Sequence, residues 1–173
     1  MMEILEAIFT RRSIRKYTGE AVSDKDIDTI IRAGFSAPSA HNLQPWHFVI
    51  VRNRDKLNAF ADYATYQKML YEADCAIIIC GDTKKQSHQN LLVNDCSAAT
   101  ENMLLAAHGL GLGAVWCGLA QISLVRFFSK ELELPENILP MALISLGHPA
   151  EERPASKRYN AKHVHHETFG NPF

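Results

Sequence analysis

The stretch LLVNDCSAATENMLLAAHGL, residues 91–110, decides how this chain can fold. Leu92, Cys96, Ala99, Met103, Ala106 and Leu110 recur every three or four positions, which draws one apolar stripe along a helix. Leu91, Ala98 and Leu105 lie on the opposite side, and after Asp95 the only formally charged residue up to Leu110 is Glu101. A helix this apolar on most of its circumference has to be buried almost all round. A single domain of 173 residues has difficulty surrounding it. Ser97, Ala98, Ala99, Ala106 and Ala107 are small enough for close approach of a second subunit, so the pattern predicts a homodimer that buries part of this helix.

On either side of that helix the pattern changes. Cys75 to Cys80 contains three consecutive isoleucines and no alternation, which suits a central strand covered on both faces. Gly109, Gly111 and Gly113 follow the helix and lead into a strand through Ala114, Val115 and Trp116. Their spacing is G-x-G-x-G, and they run from helix to strand. A dinucleotide-binding loop needs the reverse order, because the amides of a helix N-terminus hold the pyrophosphate. These glycines read instead as a helix C-cap and a tight approach to the strand.

The remaining elements are a short helix over 2–10 and a second one introduced by Ser23 and Asp26 as a capping box. A strand spans Trp46 to Val51, a helix 54–62, a helix 122–132, and a last strand Met141 to Leu146. Helices and strands do not alternate strictly, so the fold class is α+β. From Gly147 the chain is polar and reads as an extended tail, residues 148–173, over the body.

Composition narrows the function. Eighteen Lys and Arg against nineteen Asp and Glu give a net charge of −1, which excludes the broad basic face of a nucleic-acid binder. No apolar run is long enough to span a bilayer, and the Met1-Met2-Glu3 start lacks a signal-peptide core. Cys75, Cys80, Cys96 and Cys117 have no C-x-x-C spacing and read as buried thiols of a reducing, cytoplasmic setting. His163, His165 and His166 lack a carboxylate or Cys at ligand-like spacing, so no metal site is expected. G-x-S-x-G and H-E-x-x-H are both absent, which leaves hydrolase chemistry unsupported.

Two groups of residues carry chemistry. Arg11, Arg12, Ser13 and Arg15 bunch positive charge after the first helix, with Lys157 and Arg158 as a second basic cluster near the far end. Guanidinium forks suit a phosphate, although cations also suit a solvated helix C-terminus. The loop Pro38–Trp46 offers Ser39, His41, Asn42 and Gln44 between two prolines. Pro45 biases Gln44 toward an extended backbone, and the Gln44 amide could pair with a ring carrying N–H and C=O groups. By itself the loop could equally be a plain turn.

Four patterns in order then resemble one family, the FMN-dependent nitroreductases. They are R-R-S-x-R at 11–15, P-S-x-x-N-x-Q-P-W at 38–46, G-L-G-x-x-W-x-G at 111–118, and G-x-P-A-E at 147–151 with Lys157 and Arg158 downstream. The resemblance spans essentially the whole chain. It implies a single FMN-binding domain over 1–173, with a mixed, mainly antiparallel sheet flanked by helices and paired through the long helix.

It also implies site roles. Arg11, Arg12 and Ser13 hold the phosphate and ribityl chain of FMN, and Lys157 and Arg158 complete the clamp. Arg15 lies by the N1/O2 side of the ring. Trp116, Cys117 and Gly118 run their backbone along it. Pro38, Ser39, Ala40, Asn42 and Gln44 come from the other subunit, so FMN sits at the dimer interface. The implied activity is NAD(P)H-dependent ping-pong reduction of nitroaromatics, quinones or activated alkenes. A specialised flavin enzyme of the same fold (a reductive dehalogenase or flavin-degrading enzyme) and a non-catalytic FMN-binding protein are the alternatives. The chain leaves little room for the helical excursion of larger members, and it shows no clear match for the mid-chain side chain at the pyrimidine edge.

Overall fold

The run of isoleucines lies in a strand, Cys75–Asp82, that is buried along its whole length in the computed structural model, which describes residues 2–172. Alternate residues of this strand serve two different cores. Cys75, Ile77 and Ile79 pack on one side, and Ala76, Ile78 and Cys80 on the other. With no solvent face, the strand has nothing polar to alternate with.

In chain order the elements are α1 (Ile4–Thr10), α2 (Asp24–Phe35), β1 (Trp46–Val51), α3 (Arg54–Tyr63), β2 (Cys75–Asp82), α4 (Gln89–Gly109), β3 (Gly113–Gly118), α5 (Ile122–Glu131) and β4 (Ile138–Gly147). The sheet order is β1-β2-β4-β3, with every neighbouring pair antiparallel. The parallel component is an isolated bridge between Ser13 and Ala114. Helices α2 and α4 cover one face, through Ile27, Ile30, Leu92 and Met103. Helices α3 and α5 cover the other, through Leu57, Phe60 and Phe128. This is the α+β layering expected from the order of elements. The segment between α3 and β2, which has no readable period, is a 3-10 stretch, Thr65–Tyr71, kinked at Gln67.

Local chemistry starts and stops the helices where the sequence says. Ser23 Oγ accepts from the Asp26 amide at 3.0 Å and donates to the Asp26 carboxylate at 2.7 Å, capping α2. At the end of α4, Gly111 adopts φ +77°, its amide donates to His108 O, and the Leu112 amide donates to Ala107 O. That pair of bonds is a Schellman cap, and its left-handed position is why a glycine stands there.

Helix α4 is buried along the predicted stripe as far as Met103; at its C-terminal end Ala106 is half-buried and Leu110 exposed, Ala107 taking the buried place, and in one chain the other flank is open. Leu92, Cys96, Ala99, Met103 and Ala107 are buried, Leu91, Ala98 and Leu105 are half-buried, and Val93 is exposed. Helix α1 goes further: Ala7 is buried, while Ile4, Leu5, Ile8 and Phe9 all face outward. Beyond β4 the tail is mostly exposed, with one short 3-10 turn at Ala161–His163. No helix of the described residues is long and apolar enough to cross a membrane.

Candidate functional site

The arginine-bearing segment is laid along the sheet edge by its apolar residues. The Ile14 amide donates to Ala114 O at 3.0 Å, so residues 13–14 flank β3, the edge strand. The Ile14 and Tyr17 side chains press onto Gly113 and Gly147, which face each other in the β3–β4 register. A Cβ on Gly113 would stand 2.7 Å from Ile14, and one on Gly147 would stand 2.9 Å from Tyr17. Below that segment the Tyr17 hydroxyl donates to Ile14 O at 2.8 Å and accepts from Ser145 Oγ at 2.9 Å. Burial pushes the Tyr17 phenol far above its ordinary pKa, so it stays a donor.

From this base Arg15 projects to a cavity of about 930 Å³, lined also by Trp116, Cys117 and Gly118. A Cβ at Gly118 would meet no protein atom within 4 Å, so the backbone there borders open space. The Cys117 thiol is pushed up to about 11 by burial, against the pull of Arg15, and stays protonated at neutral pH. The Arg15 amide donates to Glu151 at 2.7 Å, and Arg153 pairs with the same carboxylate at 2.9 Å. Those contacts hold Glu151 below the usual carboxylate range.

Arg11 points to a separate cavity of about 640 Å³ that it shares with Lys157 and Arg158. The two ends of the chain therefore do meet. Arg11 Nε also lies 3.3 Å from Glu101 of α4. Arg12 is turned to the tail, where its guanidinium donates to Pro154 O, and Ser13 is engaged through its backbone bridge. Neither residue lines either cavity.

The loop Pro38–Gln44 stands apart from both cavities in a single chain. It is tied to α4 by the Ala40 amide, which donates to buried Asp95 at 2.8 Å. Ser39 Oγ accepts from the Gln44 amide at 2.9 Å, and the Gln44 side chain donates to Asn42 Oδ1 at 3.3 Å. His41, Asn42 and Gln44 have φ of 54°, 55° and 47°. The extended backbone expected for Gln44 before Pro45 is therefore not adopted. Closure of the loop by Ser39 and Asn42 overrides the local bias.

Gln67 is the residue that sequence reasoning missed. It is 2% exposed, lines the Arg15 cavity, and its Oε1 has no hydrogen-bond partner. It lies in the kinked 3-10 stretch, where no periodicity could single it out. Glu151 was visible within G-x-P-A-E, but its bond to the Arg15 amide was not. In the tail, His165 Nδ1 accepts from the Gly170 amide and its ring packs on Phe169, while His163 lies 3.3 Å from Asn160.

Comparison with known proteins fits this arrangement. The profile of the Nitroreductase family matches residues 8–67 and 61–148. A relative from Archaeoglobus fulgidus, provisionally named NADH dehydrogenase/NAD(P)H nitroreductase, is 43% identical over 174 residues, spanning 98% of this chain and 100% of the relative. A crystal structure of a protein of the same provisional name from Parabacteroides distasonis superposes with a TM-score of 0.92 at 40% identity, covering 97% and 99% of the two chains. A provisionally identified nitroreductase from Desulfovibrio desulfuricans, solved in complex with FMN, superposes with a TM-score of 0.85 at 36% identity over 98% and 99%. With a matched profile, end-to-end relatives and the same fold, the chain belongs to the nitroreductase family.

Proposed function

We propose that this protein is a homodimeric flavin enzyme that uses FMN to pass hydride from NAD(P)H to electron-poor small molecules, with nitroaromatics, quinones and activated alkenes as the acceptor class. One observation carries the reading: Arg15 and buried Gln67, whose Oε1 has no hydrogen-bond partner, line the same cavity as Trp116, Cys117 and Gly118, and the Gly118 backbone borders open space. That donor and acceptor set suits a ring with a carbonyl beside an N–H, lying flat on a strand. Names among the relatives include FMN reductase and NADPH-flavin oxidoreductase.

Bound FMN supplies hydride acceptance and delivery; the protein supplies position and charge. Arg15 places a cation where negative charge builds as electrons arrive, which favours acceptance. Gln67 accepts from the ring N–H, and so gains the partner it lacks. Arg11, Lys157 and Arg158 hold the phosphate, while Arg12 ties down the tail that carries the last two. Ser13, bridged to Ala114, would hold the segment that carries Arg11 and Arg15 in place for the cofactor. No side chain here is needed as a general acid or base, because positioning the two reactants provides the rate.

Pro38, Ser39, Ala40, Asn42 and Gln44 reach the site of the second chain. The exposure of Pro38, Asn42 and Gln44 and the absence of the loop from the lining of its own chain's two cavities support this, as do the open flank of α4 and the outward apolar side of α1. The domain runs over 1–173, and the tail lies over the body or its partner. Sedimentation of the pure protein as a monomer at micromolar concentration would remove the dimer.

The direct test is spectroscopic. The purified protein should be yellow and should bleach with NADH or NADPH; a colourless protein that ignores added FMN overturns the reading. Arg11→Ala should weaken FMN binding by about 1.5–3 kcal/mol, the worth of a charge-assisted hydrogen bond. Titration calorimetry showing unchanged affinity would reject the role of Arg11. Gly118→Val should abolish FMN retention while leaving the melting temperature in place, because the new side chain enters open space. A flavin-replete Gly118→Val protein would move the ring elsewhere.

A further inference from the structure

Glu101 is the lone charge on the apolar half of α4, and nothing in the proposed chemistry has used it. We infer that Glu101 is a positioning residue for the phosphate end of the site: it holds Arg11 in place by charge and leaves the hydrogen bonds of the guanidinium for the ligand. This rests on the reading of Arg11, Lys157 and Arg158 as the phosphate clamp.

The geometry supports the division of labour. Glu101 Oε1 lies 3.3 Å from Arg11 Nε, and the Arg11 side chain is 17% exposed against 45% for Glu101. The contact is an ion pair rather than a hydrogen bond, and among the described residues the Arg11 guanidinium donates no hydrogen bond to protein. A guanidinium held along its Nε edge still presents a pair of parallel N–H donors, the arrangement that grips a phosphate bidentately. Three cations face one cavity here, and their mutual repulsion would turn a long, flexible Arg11 out to solvent. A fixed carboxylate beside Arg11 opposes that.

A second contact two turns further along α4 acts on the neighbouring residue. His108 Nε2 lies 2.8 Å from Thr10 Oγ1, whose hydroxyl donates to Glu6 O at 2.6 Å, so the imidazole is the donor. Burial and then the Arg11 charge hold His108 below its ordinary pKa, which favours the neutral ring. Helix α4 thus fixes the last residue of α1 and the first residue of the arginine cluster together. An exposed ion pair of this kind adds little to stability, so its use lies in placing Arg11.

Affinities for FMN and for riboflavin, which lacks the phosphate, separate this role from a structural one. Both are titrated by fluorescence into full-length protein stripped of flavin. Glu101→Ala should raise the FMN Kd about tenfold and leave riboflavin binding unchanged, the loss expected when one charge-assisted contact is loosened. Glu101→Gln keeps the size of the side chain but not the charge of the ion pair, so it should lose about as much as Glu101→Ala; full FMN affinity in Glu101→Gln would overturn the inference. Equal losses for FMN and riboflavin would show a role in the fold and overturn the inference. Unchanged or tighter FMN binding in Glu101→Ala would overturn it too, since Glu101 would then be idle or a competitor of the phosphate. Unmodified protein that binds the two flavins equally would overturn the phosphate clamp itself, before any variant is made.

Discussion

Above about pH 9 the protein is expected to lose stability steeply and to unfold within roughly two to three pH units. The cause is four free thiols in the core, Cys75, Cys80, Cys96 and Cys117. Burial pushes Cys75, Cys80 and Cys96 up to about 12 and Cys117 to about 11, with the Asp74 charge adding to Cys75 and Asp95 to Cys96. In the unfolded chain each thiol releases its proton near pH 8.5–9, roughly its unperturbed range, while in the native protein it keeps it. The unfolded state then binds fewer protons, so stability falls as pH rises. It is fully present below the unfolded pKa.

Each thiol removes up to about 1.4 kcal/mol per pH unit in that window, and three or four acting together over two to three units remove roughly 8–15 kcal/mol, comparable with the usual stability of a domain. Tyr17 adds to the loss above about pH 10, where an exposed phenol ionises. Urea midpoints measured under reducing conditions from pH 7 to 10.5 test this, and a flat series would sink it. Cys80→Ala should lower the slope by roughly a quarter, one thiol of four.

Tyr17→Ala should cost about 3–5 kcal/mol, the range for deleting a buried aromatic side chain. Tyr17 is 5% exposed and its ring rests on Gly147. Its hydroxyl joins Ile14 O to Ser145 Oγ, so the strand β4 and the arginine segment share one hydrogen-bonded post. Tyr17→Phe keeps the ring but leaves the buried Ser145 hydroxyl without its acceptor, at about 1–3 kcal/mol. FMN affinity should fall in both variants, since Arg11 to Arg15 hang between α1 and this post. Denaturant melts give the first effect and flavin titration the second. A Tyr17→Ala protein as stable as its parent would mean the segment is held by Ile14 alone.

The two variants also show what could be read from the residues. The stripe on α4, the isoleucine run of β2 and the Ser23 cap were legible, because helix period, double burial and capping are local properties of a sequence. The backbone of Gln44 was misjudged, because Ser39 and Asn42 set it from outside the dipeptide. Gln67 was not visible at all. An isolated glutamine in an unpatterned segment carries no signal until a kinked 3-10 turn buries it beside Arg15.

The order of the elements, the central place of β2 and the presence of two basic clusters were all contained in the chain itself. Periodicity and charge are written residue by residue, and four spaced motifs add up to a family. What only the tertiary structure decided is how those charges are used. Arg11 shares a cavity with Lys157 and Arg158 while Arg12 turns to a tail carbonyl, and Arg15 faces a different cavity. Arg12 parts from Arg11 because an extended backbone sends successive side chains to different sides, while Arg15 lies four residues further along the segment and so reaches a different cavity.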